Sequence, residues 1–143
     1  GHDHAIISQM PDLTMPFGQF TGSQALEMAG VRHSDIELAM IYDSFTYTVL
    51  VTLESLGFCG PGEGPEFVAN QRTAPGGNFP LNTSGGGLSY THPGMYGIFP
   101  IVEAVRQLRG ETGKRQIDDC KLALVHGTGG NLSATGTVVL ARE

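Results

Sequence analysis

The sequence has 143 residues, of which 40% are hydrophobic, and a formal net charge of −6 with 8 lysines and arginines in total. This length suits one globular domain over residues 1–143, and the acidic balance disfavours a nucleic-acid groove or a surface for anionic membranes. No apolar run reaches the roughly 18 residues needed to span a bilayer.

The first elements alternate between apolar stretches and a helix. Residues 5–8 are a short apolar stretch, predicted as a strand. Residues 22–30 are predicted as a helix, with Ser23 as its N-cap and Gly30 as its end. The continuous apolar run at 36–43 predicts a strand that is covered on both faces in a mostly parallel sheet.

The next segment, residues 44–58, has apolar residues at helical spacing although it is rich in β-branched residues. Strand is the competing prediction, but the length favours a helix. Asp43 and Ser44 are interpreted as its cap, and Phe45 and Tyr47 as core residues.

The second half of the chain predicts a short helix around residues 67–70, a short strand at 78–82 and an amphipathic helix at 95–109. Residues 120–127 and 133–142 have strand-like patterns. The side of the amphipathic helix that carries its apolar residues consists of Ile98, Val102, Val105 and Leu108.

A tight turn at residues 128–131 is predicted to join the last two strands into a hairpin. The resulting order, β-α-β-α-(α)-β-α-β-β, predicts a layered α/β domain.

Polar residues follow the predicted strands in three places: residues 42–45, 82–97 and 126–130. Ligands of α/β proteins bind at the carboxyl ends of strands, so these segments predict a site. The middle segment contains GGGLSYTHPGMYG, in which the many glycines indicate backbone in left-handed turns or pressed close to another group.

These three segments resemble motifs of the thiolase family. In NTSGGGLSYTHPG, an asparagine and paired glycines precede a histidine and proline, as in thiolases. HGTGG stands where thiolases carry Cys-x-Gly, and YDSF where they carry Asn-Glu-Ala-Phe or, in the sterol-carrier-protein type, His-Asp-Cys-Phe. The resemblance covers essentially all residues and implies the C-terminal half of a thiolase-like subunit, with a mixed sheet and helices on both faces. The chain starts without a methionine, which fits a processed protein or a piece of a longer one.

The sequence departs from thiolases where their chemistry needs a thiol base, because those positions hold His126 and Ser44. Cys59 and Cys120 lie outside the motifs and are interpreted as small buried residues. Their spacing suits free thiols in a reducing compartment, so the protein is expected to be cytoplasmic. Tyr42 takes the histidine position of His-Asp-Cys-Phe.

This pattern is similar to the thiolase-like lipid-transfer proteins of actinobacterial steroid breakdown, which act as retro-aldolases with an OB-fold partner. The resemblance implies cleavage of a β-hydroxyacyl-CoA into a ketone and a shorter acyl-CoA. We predict Tyr42, with a lowered pKa, as the base, His92 with loop amides as the oxyanion site, and Tyr96 or Tyr90 as the acid. His126 is a further catalytic candidate. The residues expected to bind the substrate or its oxyanion are Asn82, Gly86, Gly87, Gly127 and Gly129.

No separate cofactor is expected, since coenzyme A is part of the substrate, and His2, His4 and His33 lack the spacing of metal ligands. The expected partners are the N-terminal thiolase half, a second copy in a full-length homodimer and an OB-fold protein; the isolated fragment is expected to be inactive. An acyl-transferring thiolase and a non-catalytic lipid or acyl-CoA carrier remain alternatives.

Overall fold

A mixed three-stranded sheet organises the computed structural model, which describes residues 6–14 and 18–143. Its strands are β1 (Leu38–Ile41), β2 (Leu122–Gly129) and β3 (Ala134–Ala141), in the order β1-β2-β3. β1 pairs with β2 in parallel, whereas β2 and β3 form an antiparallel hairpin. Helices cover both faces, which confirms the predicted fold class. Among the described residues no helix has the length and apolarity to cross a membrane.

β1 is shorter than the predicted strand but is covered on both faces, as predicted. Its four residues are completely buried. Ala39 and Ile41 pack into one apolar cluster, while Leu38 and Met40 pack into another on the opposite face. Because successive side chains of a strand alternate, a strand between two helical layers is apolar at every position.

Helices α1 (Gly18–Ala29) and α2 (Thr46–Leu56) cover the first of these faces. α1 begins earlier than predicted, and Ser23 lies inside it with its hydroxyl donating to the carbonyl of Gln19, so the predicted cap is wrong. Gly30 has φ +67° and ends the helix as predicted.

The structure confirms a helix rather than a strand for α2, but not its predicted cap or core residues. Phe45 is the N-cap and no side chain caps the helix. The Ser44 hydroxyl instead shares a hydrogen bond with that of Thr48. Phe45 and Tyr47 are exposed in this chain and do not belong to the core.

Two short elements differ from prediction beyond α2. Helix α3 (Gly64–Val68) overlaps the predicted range of 67–70 but begins and ends earlier. Residues 78–82 form no strand and make only one parallel bridge, between Leu81 and Ala39. This bridge still brings the segment that follows against the edge of β1.

The strand predicted at residues 5–8 is wrong over its described part, because Ile7–Gln9 forms a 3-10 turn; Ala5 lies outside the described residues. The predicted hairpin is confirmed, but the ladder continues to Gly129 and its turn covers residues 130–133. Asn131 and Leu132 adopt positive φ there.

Helix α4 (Ile98–Leu108) covers the second face of the sheet, rotated from the predicted orientation. Leu108 is buried as predicted, but Ile98 and Val102 are exposed. Glu103 and Gln107 are buried in their place, because Thr83 and Arg115 satisfy the Glu103 carboxylate. Hydrogen bonds thus allow the polar side chains of α4 to be buried, and an apolar stripe of the same helix remains exposed.

Candidate active site

A cluster of phenols around an imidazole lies at the carboxyl end of β1. The Tyr42 hydroxyl is 2.9 Å from His92 Nε2. The ring of Tyr96 lies 5.2 Å from that of Tyr42, and the hydroxyls of Tyr96 and Tyr90 are 3.2 Å apart. The structure thus brings together four of the five residues predicted to be catalytic, from the end of one strand and from the glycine-rich loop, residues 85–97.

The members of this cluster differ in how far a substrate could reach them. Tyr96 is only 3% exposed and stacks on Phe99 of α4, with ring centroids 5.5 Å apart. Tyr90 and His92 are exposed, and Tyr42 is half-buried. Tyr96 therefore supports the cluster from inside, while the other three side chains face outward.

The two inner phenols are harder to ionise than free tyrosine, so the predicted lowering of the Tyr42 pKa is wrong. Burial, with a further contribution from the Asp43 charge, raises the pKa of Tyr42. Burial and the hydrogen bond with Tyr90 raise the pKa of Tyr96. Both phenols are therefore protonated at neutral pH, and a proton accepted by Tyr42 must be balanced by one donated from it.

The glycine-rich loop folds around a buried carboxylate. Asp43 is 3% exposed and accepts hydrogen bonds from the amides of Gly87, at 2.7 Å, and Leu88, at 3.2 Å. Gly86 has φ +71°, and a Cβ added there would collide with the Asp43 carboxylate. The amide of Gly87 is thus already engaged, which disfavours the oxyanion role predicted for it. Sequence analysis missed this role of Asp43, although its place next to Tyr42 was visible.

Asn82 uses its side chain inside the protein. Its Oδ1 accepts a hydrogen bond from the Ile41 amide at 2.8 Å, and its Nδ2 donates to the Ile41 carbonyl at 2.9 Å. Asn82 also adopts φ +49°. Both polar groups of the amide are therefore engaged beside Tyr42, so the structure supports a positioning role and not the predicted contact with substrate.

His126 does not join the cluster, because its ring lies on the opposite face of the sheet. It is 1% exposed, its Nδ1 is 2.8 Å from the Thr137 hydroxyl, and a Cβ added to Gly18 of α1 would lie 3.3 Å from its Cε1. Burial lowers the pKa of His126 to about 4. Its Nε2 has no hydrogen-bond partner within the described part of the chain. The geometry does not support the predicted catalytic role.

The two glycines predicted after His126 both lie in the sheet. Gly127 pairs with Gly136 and Gly129 with Ala134 in the β2–β3 hairpin. A Cβ added to Gly127 would lie 4.0 Å from the Cα of Gly97, so this position faces the α4 side, where the cluster lies. Their oxyanion role stays a prediction.

A cavity of about 300 Å³ opens beside Tyr42. Its lining is mostly apolar and combines the start of α2 with the hairpin turn. Sequence analysis missed it because the turn and α2 are distant in the chain. The side chains that give it this character include Ile7, Phe45, Tyr47 and Leu132.

The two cysteines lie away from the cluster. Cys120 is buried, as interpreted, and burial raises its pKa to about 11. Cys59 is half-buried, and burial also raises its pKa. Within residues 6–14 and 18–143 no three metal-binding side chains converge. His33 Nε2 bonds the Leu56 carbonyl at 2.7 Å, and His2 and His4 lie outside the described residues.

Comparison with known proteins now identifies the family. Residues 1–142 match the family described as thiolase C-terminal domain-like. The chain belongs to this family. The resemblance of the three motifs is thereby confirmed.

The relatives include proteins named as sterol carrier proteins, as aldolases and as an acetyl-CoA acetyltransferase, the last from Methanothermobacter thermautotrophicus, with 35% identity over 82% of the chain and 31% of that protein. The chain is 41% identical over 115 residues to sterol carrier protein 2 of Bos taurus, a match covering 80% of the chain and 20% of that protein. It is 43% identical over 108 residues to the steroid side-chain-cleaving aldolase of Thermomonospora curvata, covering 76% and 27%. A solved structure named "Ltp2-ChsH2(DUF35) aldolase" matches with a TM-score of 0.83 and 34% identity, over 94% of the chain and 35% of its own. The chain thus spans between a fifth and about a third of the length of these relatives.

Proposed function

We propose that the protein containing this chain is a retro-aldolase that cleaves a β-hydroxyacyl-CoA of the steroid side-chain type into a ketone and a shorter acyl-CoA. The observation that carries the proposal is the contact of 2.9 Å between Tyr42 and His92 at the end of β1. The 43% identity to a protein named as a steroid side-chain-cleaving aldolase supports it.

The cleavage starts at the β-hydroxyl of the substrate. In the tautomer that leaves His92 Nε2 unprotonated, Tyr42 donates its proton to that nitrogen as its oxygen accepts the proton of the β-hydroxyl. The bond between Cα and Cβ then breaks, Cβ becomes the ketone carbon, and the electron pair remains on Cα as the thioester enolate. This relay suits a phenol whose pKa is raised, because no free tyrosinate is required.

The enolate must then receive a proton at Cα. Tyr90 is the proposed donor, because it is exposed and its hydroxyl is held by that of the buried Tyr96 at 3.2 Å. The substrate loses its hydroxyl proton through Tyr42 to His92 and gains one at Cα from Tyr90, so the reaction requires no oxidant or reductant. His92 then carries an extra proton and Tyr90 lacks one, and proton transfer through solvent between these two exposed side chains restores both. Coenzyme A accordingly takes part as a portion of the substrate and not as a separate cofactor.

The apolar cavity beside Tyr42 is the proposed place for the hydrocarbon part of the substrate. Phe45 and Leu132 contribute to its wall. Removing an apolar ring system from water at such a wall favours binding by roughly 25 cal/mol for each Å² that is buried. A substrate bound there has its reacting carbon close to Tyr42.

Cleavage is favoured over thiolase-type acyl transfer because the described residues supply no thiol at the cluster. Ser44 and His126 occupy the two motif positions where thiolases carry a base cysteine, and the ring of His126 faces away. Acyl transfer at this site would need a base that these positions do not provide.

The remaining part of the protein is proposed to pack on the outer side of α4, and a full-length homodimer is proposed to work with an OB-fold partner. Met95 is 92% exposed, and Ile98, Phe99 and Val102 are exposed beside it. Contiguous apolar surface of this kind marks an interface. The solved relative named together with a DUF35 protein supports a protein partner.

The test uses the full-length protein with its partner and a steroid-type β-hydroxyacyl-CoA, and identifies the products by mass spectrometry. We expect a ketone together with propionyl-CoA or acetyl-CoA. Tyr42→Phe is expected to lower kcat by about 10²-fold or more, because it removes the proton relay. His92→Gln is expected to lower kcat similarly. His33→Gln, which changes a histidine distant from the cluster, is the matched control and should leave kcat unchanged.

Three other outcomes would contradict the proposal. A Tyr42→Phe enzyme with full activity would remove Tyr42 from the mechanism. Acyl exchange without cleavage would identify a thiolase, and binding of the acyl-CoA without any turnover would identify a carrier.

A further inference from the structure

Asp43 is a buried carboxylate that lacks the two partners such groups commonly have, a helix N-terminus and a basic side chain. It does not cap α2, whose N-cap is Phe45, and no lysine or arginine among the described residues forms an ion pair with it. Burying an ionised carboxylate is costly unless hydrogen bonds compensate for lost water. Its recorded partners are the amides of Gly87 and Leu88, and hydrogen bonds to a charged acceptor are stronger than neutral ones.

The loop that Asp43 binds is shaped to fit the carboxylate. Gly85 and Gly86 adopt φ +98° and +71°, which favour glycine. At Gly87 an added Cβ would lie 3.1 Å from Asp43 Oδ1 and 3.5 Å from Cζ of Tyr96. The loop backbone is thus pressed against both the carboxylate and the phenol cluster.

The residues on either side of Tyr42 fix the chain at two points, one before the loop and one within it. The Ile41 backbone pairs with the side chain of Asn82, and the Asp43 side chain pairs with the loop some five residues later. Tyr42 lies between these two attachments and contacts His92, which follows in the same loop. A displacement of the loop from Asp43 would therefore change the distance between Tyr42 and His92.

We propose that Asp43 is a positioning residue that holds the first part of the glycine-rich loop, residues 85–88, so that His92, further along the same loop, stays within hydrogen-bond distance of Tyr42. The proposal rests on the retro-aldol function proposed above for its kinetic consequence. It assigns Asp43 no contact with the substrate.

The first test compares Asp43→Asn with the parent full-length protein by hydrogen exchange and mass spectrometry. Asparagine keeps the shape, but only one of its two terminal atoms is an acceptor, so it cannot accept from the amides of Gly87 and Leu88 with two separate oxygens as Asp43 does. We expect exchange in the peptide that contains residues 85–89 to accelerate by about 10-fold or more, as is typical when a hydrogen bond to a charged group is lost. The matched control is Asp119→Asn, an exposed carboxylate that pairs with Lys121 and Arg142, which should leave this peptide unchanged.

The second test measures steady-state kinetics of the same proteins. Misplacement of a catalytic group by about 1 Å can cost about 10²-fold in rate, so kcat of Asp43→Asn should fall by that order with little change in KM. Gly86→Ala provides a second variant that keeps the charge but pushes the loop off the carboxylate, and it should reproduce both effects. Circular dichroism verifies that each variant is folded.

The two tests distinguish failure of the positioning role from failure of the proposed function. Unchanged exchange in both variants would show that Asp43 does not hold the loop and would overturn the proposal. Faster exchange with undiminished kcat would overturn the positioning role. If the parent protein cleaves no β-hydroxyacyl-CoA, the proposed function fails, while the exchange data still decide whether Asp43 restrains the loop.

Discussion

Replacing His126 by leucine should make the folded protein less sensitive to acid. The ring is 1% exposed, and burial lowers its pKa from an ordinary value of 6.5 to about 4. Between these two values the unfolded chain binds a proton that the folded protein excludes, so stability is complete above pH 6.5 and declines as the pH falls. The free energy of unfolding that is lost in this way amounts to about 1.4 kcal/mol at pH 5.5 and about 2 kcal/mol at pH 5. Leucine has no proton to bind, and Thr137 keeps a hydroxyl partner in Thr21 at 2.9 Å.

The assay is urea unfolding of the full-length parent and the His126→Leu protein at pH 5, 5.5, 6.5 and 7.5 on the same day. Any packing cost of the substitution is the same at every pH and is read at pH 7.5, where the imidazole is neutral in both states. The difference in unfolding free energy should then shift in favour of the variant by about 2 kcal/mol at pH 5. A difference that stays flat from pH 7.5 to 5 would refute the assignment of His126 as a buried neutral side chain.

Two further predictions concern the other buried titratable groups. Glu103→Gln should lower the free energy of unfolding by about 2 kcal/mol in a urea titration, because the carboxylate accepts hydrogen bonds from Arg115 and Thr83 in a buried position; a loss no larger than that of the exposed Glu111→Gln would contradict this. Cys120 should react with iodoacetamide at pH 7.5 about 100-fold more slowly than a thiol of ordinary pKa, as its raised pKa of about 11 leaves little thiolate. Rapid labelling of its peptide, followed by mass spectrometry, would refute the burial.

The position of the residues that follow the carboxyl end of β1 could be predicted, because it depends on the local sequence pattern. A continuous apolar run identifies a strand covered on both faces, and the residues that follow it, Tyr42 and Asp43, must then emerge at its carboxyl end. The loop containing His92 returns to the same edge through Leu81, which pairs with Ala39. The meeting of Tyr42 with His92 follows from this topology, and the sequence was sufficient to expect it.

The orientation of His126 could not be predicted in the same way. Alternation along β2 shows that His126 shares a face with Leu124 and that Gly127 shares the other with Val125. Which of the two faces carries the cluster depends on which helical layer packs there, and that is decided by contacts distant in sequence. The prediction of which face of α4 is buried was wrong for a similar reason, since the residues that hydrogen-bond to Glu103 lie outside the helix.

The glycine-rich loop shows why residue type alone was ambiguous about function. Glycines beside a histidine indicate that backbone approaches something closely, and a thioester oxygen was the expected neighbour. The described neighbour of Gly86 and Gly87 is the carboxylate of Asp43. Both explanations require the same absence of side chains, and the folded position of Asp43 separates them. An amide held by an internal carboxylate cannot also stabilise an enolate oxygen without breaking that bond. The proposed stabilisation must therefore come from a group outside this contact, and His92, which is positively charged once it has accepted the proton of Tyr42, is exposed at the cluster and suits that role.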